Sequence, residues 1–556
     1  MHELFYIPEL IGLICEALRL DSFPHRNDPH AARKALATLA RTAKVFREPA
    51  LSSLWYTQHT LVNLVKVLPH FLWREQHYTV RMLKASRLRH ELSVSRTPTR
   101  EEAARLVFYA AFVKELYMGY DPRVSIDFDY DFIHVSPYFD YLQLRLLSFS
   151  SDAIRCAQAL VRPSLQAIEL HGQWDAPNTR DALRTVKTVC RSLGSVRLHT
   201  TMSAPLESGV DPGAQELADF VVGFPLRQLR TSGRIADAAG LQYLARLSTL
   251  TSLEFTESAP GQGFPRGSFS ALRELKVICT SHAFALSLFA AMDRCPLETL
   301  HCHSTSACST PHLHAILTEL ARGVHPRTLT QVAFSCSHFE DDERPRDDNL
   351  INLPIIAPLR VFRRLTHVCV TSLDGCRFTD EELAEIGSWW PRATCITLPG
   401  CNHARGLPHA TIRGVLALAR QTPQLKELDV VFDMRCAQSA LADVRAMVHC
   451  SGPQESLSSL GVGSSPITAW SPAPPSAPMT GMPSPKFCGR GPYADPVVQV
   501  LRLAFPRLKE VCVADESDGW AGDFDAEDWS EQEEEYRARW LQVNEHLALT
   551  QPVAVA

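Results

Sequence analysis

Between residues 113 and 513, one arrangement of apolar positions, apolar-x-x-apolar-x-apolar, returns fourteen times. It reads VKELYM (113–118), LRLLSF (144–149), LQAIEL (165–170), LGSVRL (193–198), LRQLRT (226–231), LTSLEF (250–255) and LRELKV (272–277). It continues as LETLHC (297–302), LTQVAF (329–334), LTHVCV (365–370), ATCITL (393–398), LKELDV (425–430), LSSLGV (457–462) and LKEVCV (508–513). The starts lie 21 to 36 residues apart until the last step, which is 51. Each hexamer ends in a period-2 alternation, as a short strand with one buried face requires. Between hexamers, segments 237–247, 282–292, 311–323, 408–421 and 439–448 carry apolar residues at i, i+3, i+4 spacing and predict helices. Thr379 with Glu382 spells a capping box, and Asp211-Pro212 and Asp495-Pro496 each place a proline just inside a capping Asp. One strand and one helix per repeat predict an α/β fold of the solenoid type. Parallel strands would line its concave side and helices its convex side, each repeat burying its neighbour's apolar face. A compact α/β domain with parallel strands satisfies the same local pattern.

The first sixty residues follow a different period. In PELIGLICEALRL (8–20), Leu10, Ile11, Leu13, Ile14, Ala17 and Leu18 recur at helical spacing, with Pro8 suited to the first turn. The proline-bearing stretch DSFPHRNDPH (21–30) reads as a loop. A second helix is expected from Ala31 to Lys44, with Leu36, Leu39, Ala40 and Ala43 on one face. Pro49 is expected to start a third, ending in the large apolar Trp55. Residues 61–98 are expected to be a mostly helical connector, with repeats over 99–462.

This ordered spelling resembles an F-box. Ile7-Pro8-Glu9-Leu10 matches the family's opening element. Leu36, Leu39, Thr42 and Phe46 match its Leu-rich helix and Ser/Thr-x-x-x-Phe/Trp step, and Leu51, Leu54 and Trp55 match its closing Leu…Leu-Trp. The wording LATLARTAKVFREPALSSLW (36–55) looks most like F-box proteins of basidiomycete fungi. The repeats in turn resemble leucine-rich repeats of an irregular kind. The Asn or Cys that commonly follows the strand is mostly missing, although Cys279 and Cys336 fall soon after theirs. The F-box resemblance implies docking to a Skp-type adaptor, and through it to a cullin-RING ubiquitin ligase. Pro8, Leu10, Ile11, Ile14 and Leu39 are the candidate contacts. A three-helix unit this small cannot bury all its apolar surface by itself, which is compatible with a partner. The alternative is that these residues form the local core of a helical cap.

Composition narrows the setting. Hydrophobic content of 45% and charged content of 21% are those of an ordinary folded chain. A net charge of −5 argues against a general nucleic-acid binder, which needs a basic surface. The apolar runs fall short of the roughly 20 residues that span a membrane, and no signal peptide is apparent. The 16 Cys follow no repeated framework and fit reduced thiols of the cytoplasm or nucleus. Residues 463–495, rich in Pro, Ser and Gly, read as a disordered insert. Residues 496–550 read as a last repeat and an acidic helical cap, with Tyr536, Trp540, Leu541 and Leu547 available to pack. The acidic run 339–349 reads as a charged loop.

The densest metal-capable group lies within 295–314: Cys295, His301, Cys302, His303, Cys308, His312 and His314. Its Cys spacings are wider than zinc's usual paired ligands, and His301 and Cys302 are strand neighbours that point to opposite faces. It reads as a Cys/His-rich turn, with no metal and no cofactor expected. No nucleotide-binding loop, nucleophile elbow or zinc-protease motif occurs, so no catalytic residue and no enzyme activity are expected. The expected function is that of a substrate-recognition adaptor of an SCF-type ubiquitin ligase. Its target, a protein, would bind the concave strand face, with Glu254, Lys276, His301, His367 and Asp429 as candidates. The competing expectation is a protein-interaction scaffold independent of any ligase.

Overall fold

In a computed structural model of the chain, every one of the fourteen hexamers is a β-strand, opening at the hexamer's third residue. The structure describes residues 7–21, 29–81, 86–118, 127–131, 135–150, 158–171, 177–199, 219–235, 238–257, 263–305, 309–336, 350–372, 375–399, 408–463, 465–467, 495–513 and 531–549. The readings of Asp211-Pro212, the run 339–349, most of 463–495 and residues 514–530 lie outside these. The chain divides into two units, Met1–Leu244 and Ala245–Ala556.

The first unit opens with three helices, α1 (Pro8–Asp21), α2 (Pro29–Thr42) and α3 (Lys44–Tyr56). Ile11, Cys15, Leu36, Phe46 and Ala50 form their shared core, with Leu18, Leu39, Ala40, Ala43 and Leu54 packed against it. Each helix contributes residues three or four apart, so one stripe per helix faces inward. Pro49 does not start α3 as expected: the helix begins at Lys44 and Pro49 sits inside it. Proline has no N–H to give the carbonyl one turn back. Burial of Phe46 and Ala50 on either side of it offsets that lost bond. Trp55 stacks on Tyr109 with ring centroids 4.6 Å apart.

The sheet of this unit begins earlier than expected, at Thr57–Gln58 rather than after residue 99. Thr57 pairs in parallel with Glu115 and Gln58 with Leu116. Glu115–Met118, Leu146–Ser150, Ala167–His171, Ser195–His199 and Gln228–Ile235 follow in chain order, all parallel. The connector also differs from expectation. After two short helical turns, Val62–Val65 and His70–Leu72, its described residues form a strand pair, Trp73–Arg81 antiparallel to Ser86–Val94, joined in parallel by Asp127–Asp131. Leu92 and Val94, two apart, are both buried, which is the period of a strand.

Among its described residues, the second unit holds nine parallel strands, again in chain order: Ser252–Glu257, Glu274–Cys279, Thr299–Ser304, Gln331–Cys336, His367–Ser372, Cys395–Leu398, Glu427–Val430, Ser459–Gly461 and Glu510–Cys512. Sequential strand order within each unit decides against the compact alternative, in which a doubly wound sheet reverses order at a switch point. The α/β fold of leading helices and parallel βα repeats is therefore as expected. Positions one, four and six of the hexamers point inward, as with Leu275 and Val277 or Val332 and Phe334, all 2% exposed or less. Position five, between them, faces away.

The missing Asn ladder has a substitute at hexamer position two. Thr330 Oγ1 donates to the Glu298 carbonyl, Thr366 to Thr330, and Thr394 to Thr366, each at 3.0 Å; Ser458 repeats the contact to Lys426 at 3.1 Å. These hydroxyls add a second bond beside the backbone ladder, Thr330 N–H to Glu298 O and onward. Helix starts are tied across repeats too. The fully buried Glu257 accepts from the Thr280 and Ser281 N–H groups at 2.7 and 2.9 Å, at the start of His282–Ala291. Asp380 does the same for Thr411 and Gly414, at 2.6 and 3.1 Å, at the start of Ile412–Gln421. Its own helix opens on the expected Thr379/Glu382 capping box. Hydrogen bonds to a charged group contribute about 1.5–3 kcal/mol each. Glu257→Ala is therefore expected to lower unfolding stability by about 3 kcal/mol in chemical denaturation, with Glu257→Gln intermediate.

Paired Trp389-Trp390 closes a helix end as an edge-to-face pair, with Trp390 Nε1 donating to the Leu359 carbonyl at 3.3 Å. The last helix, Glu531–Leu549, covers the terminal strand: Asn544 Oδ1 accepts from the Val511 N–H at 2.9 Å. Trp540 and Leu547 are buried, whereas Leu541 is exposed. The described cysteines are free thiols. Among the described residues, no helix is long and apolar enough to cross a membrane.

Candidate functional site

α1 has two apolar faces. The inner one is Ile11, Cys15 and Leu18. At about 100° per residue, Leu10, Leu13, Ile14 and Ala17 form a second stripe beside it, so apolar side chains span roughly 200° of the circumference. The helical unit covers only the inner stripe. Leu13 is 65% and Ile14 48% exposed, Pro8 is exposed and Leu10 half-buried. Of the expected contact residues, Ile11 belongs to the unit's own core, at 1% exposure, and Leu39 packs against that core while remaining half-accessible. Leu13, absent from the expected set, is more exposed than Ile14. The signal was present, since Leu13 and Ile14 lie three and four residues after Leu10. On the polar side Arg19 pairs with Glu16 at 2.5 Å and lies over the Tyr56 ring, 4.4 Å from its centroid. This pair locks α1 onto α3 and leaves the second stripe facing out.

The other surface is the strand face opposite the buried positions. In the second unit, register aligns Glu254, Lys276, His301, Ala333, Cys369, Thr397, Asp429, Gly461 and Cys512 as one row. Four of the five expected target-binding residues, Glu254, Lys276, His301 and Asp429, fall on it. The first three are immediate neighbours. His367 belongs to a different row, two positions earlier in its strand, with its ring against Thr366 Oγ1 at 2.9 Å. Burial and then the Lys276 ammonium hold the His301 imidazole below its usual pKa, against the pull of Glu274 and Glu254. Burial also pushes the Cys369 thiol up to about 12, which makes it a poor nucleophile. Gly461 carries no side chain in a crowded spot: a Cβ there would come within 2.7 Å of the Asp429 carboxylate.

The Cys/His-rich stretch 295–314 does not converge. Cys295 Sγ points inward at the Phe269 and Leu272 carbonyls, 3.2 and 3.3 Å away, and Cys302 lies inside beside Cys279. His301 and His303 face the other way, His303 against Ser335 Oγ at 2.5 Å. His312 stacks on His282, and His314 meets the Pro354 carbonyl. Cys308 lies outside the described residues.

The first unit carries the corresponding row Tyr117, Ser148, Glu169, Arg197 and Arg230. Beside it, one further step along the strands, His171 pairs in register with His199. Their rings stack 4.5 Å apart, and both Nε2 atoms reach Glu169 Oε1, at 3.4 Å from His171 and 3.1 Å from His199. Burial alone would raise the Glu169 carboxyl. The His171 hydrogen bond and the charges of His171, Arg197 and His199 outweigh it and hold the group below its ordinary pKa. Sequence reasoning missed this trio.

No family model matches the chain, and no curated protein does. Among solved structures it is similar to a chain of the Rad7 and Elc1 complex of yeast, at 14% identity and a TM-score of 0.27, over 64% of this chain and 77% of that one. The functional reading rests on the residues of this chain.

Proposed function

We propose that this chain is a substrate-recognition adaptor of an SCF-type cullin-RING ubiquitin ligase, working in the cytoplasm or nucleus. The observation that carries the reading is the second apolar stripe of α1, Leu10, Leu13, Ile14 and Ala17, left uncovered by the helices that bury its first. An F-box-like spelling and an uncovered helix face together call for a partner's helices, supplied here by a Skp-type adaptor. The repeats present a row of half-buried charged and polar side chains, Glu254, Lys276 and His301 among them, suited to the surface of a protein target. The chain's work is then geometric. It holds ligase and target together and raises the effective concentration of acceptor lysines, while partners perform the ubiquitin transfer. Neither nucleic acid nor a membrane enters this scheme.

Full-length protein co-expressed with a Skp-type adaptor should co-purify with it as a one-to-one complex through size exclusion. A chain that elutes alone, and captures no cullin from cells, is a ligase-independent scaffold instead.

A further inference from the structure

Two successive repeats carry their alternation one step past the hexamer and finish on the same side chain: LQAIELH (165–171) and LGSVRLH (193–199). Parallel register brings those two histidines side by side, and Glu169, two residues before the first, shares their face. We propose that Glu169, His171 and His199 form a binding site for a divalent transition-metal ion of the zinc class.

The donor atoms Glu169 Oε1, His171 Nε2 and His199 Nε2 all lie within 4.8 Å of one another. The two Glu–His separations are 3.1 and 3.4 Å. A tetrahedral ion with bonds of about 2.0–2.1 Å has ligand-to-ligand edges of about 3.4 Å, so two of the three edges already have the right length. Two imidazoles and one carboxylate suit zinc and its neighbours, whereas calcium and magnesium demand more oxygen donors. A rigid support comes from the strands: Ile168, Leu170, Val196 and Leu198, which alternate with the ligands, are buried to 2% exposure or less. Glu169 and His171 are half-buried and His199 is exposed. The fourth coordination position therefore opens to solvent, where water or a donor from a docked protein completes it. Among the described residues, Arg197 opposes the cation: it lies beside Glu169 in the register, and its charge already stabilises that carboxylate. The site is independent of the ligase reading.

Full-length protein titrated with Co²⁺ under reducing conditions tests it. The expected result is a visible d–d band without thiolate charge transfer, and one equivalent of Zn²⁺ competing for the same site. His171→Ala with His199→Ala should remove that band and that equivalent. His199→Ala alone should weaken binding roughly tenfold or more, since even outer-shell changes cost that much. Glu254→Gln, on the other unit, should leave both unchanged. An unaltered stoichiometry in the double variant, or a spectrum dominated by thiolate bands, overturns the proposal. Should the histidine variants melt lower in chelator than the parent chain, Arg197→Gln decides. Tighter zinc binding supports the site, and unchanged binding overturns it.

Discussion

Leu13→Asp combined with Ile14→Asp should abolish capture of a Skp-type adaptor and leave the chain folded. Both side chains lie outside the helical core, at 65% and 48% exposure. Surface changes away from packed groups usually alter stability by less than about 0.5 kcal/mol each. Against a partner the balance reverses. Burying a large aliphatic side chain contributes about 1.5–3 kcal/mol, and a carboxylate in its place adds a desolvation cost. Two such losses exceed about 3 kcal/mol, more than a hundredfold in affinity. Surface plasmon resonance reads the binding and thermal melting reads the fold. Ile11→Asp makes the contrast. At 1% exposure it sits in the shared core, so this change should unfold α1 and destroy binding and stability together. A double variant that still binds at parental affinity sinks the adaptor role assigned to α1.

Arg539→Ala should release the last helix and destabilise the C-terminal end of the second unit by about 3–5 kcal/mol, the usual cost of stranding a buried charge. Arg539 pairs with Asp495 at 2.5 Å, and their side chains are 6% and 1% exposed. Asp495 also caps the helix Pro496–Ala504 through the Val497 N–H. Loss of Arg539 therefore loosens both the terminal helix and the helix before it. Trp540, whose Nε1 donates to the Ser465 carbonyl at 2.8 Å, would be freed next. With that helix gone, Glu510–Cys512 becomes a bare sheet edge, a template for pairing with other chains. The measurements are hydrogen exchange at Val511, where protection should vanish, and light scattering, which should rise. Full protection at Val511 in the variant would mean that the ion pair does not hold the helix.

The repeats were legible because their signal is redundant. Leu at hexamer positions one and four is buried almost without exception, so fourteen weak matches reinforced one another and even fixed the strand phase. His367 has the right phase but the wrong row: it shares the outward face, two positions before the row on which Lys276 and Asp429 sit. The strand pair Trp73–Arg81 and Ser86–Val94 was not legible, because it alternates weakly in polar residues and takes its register from pairing between the two strands. Pro49 misled for the opposite reason. Its local preference is to start a helix, and packing of Phe46 and Ala50 overrode it. The Glu169, His171 and His199 cluster joins residues up to 30 apart. It emerges only when consecutive repeats are aligned one position beyond the hexamer. Thr330, Thr366 and Thr394 share hexamer position two, and their ladder was visible to the same alignment.

Every hexamer's strand opens at the same place in its repeat, yet successive starts lie 21 to 51 residues apart. All of that variation therefore falls after the strand, where lengthening a connection costs only slowly growing entropy. A lineage carrying this scaffold is free to gain or lose codons there, and to reshape the rim of each coil, without disturbing the hydroxyl-pinned lattice beside it. Descendants should diverge first in connector length and last in the phase of the leucines.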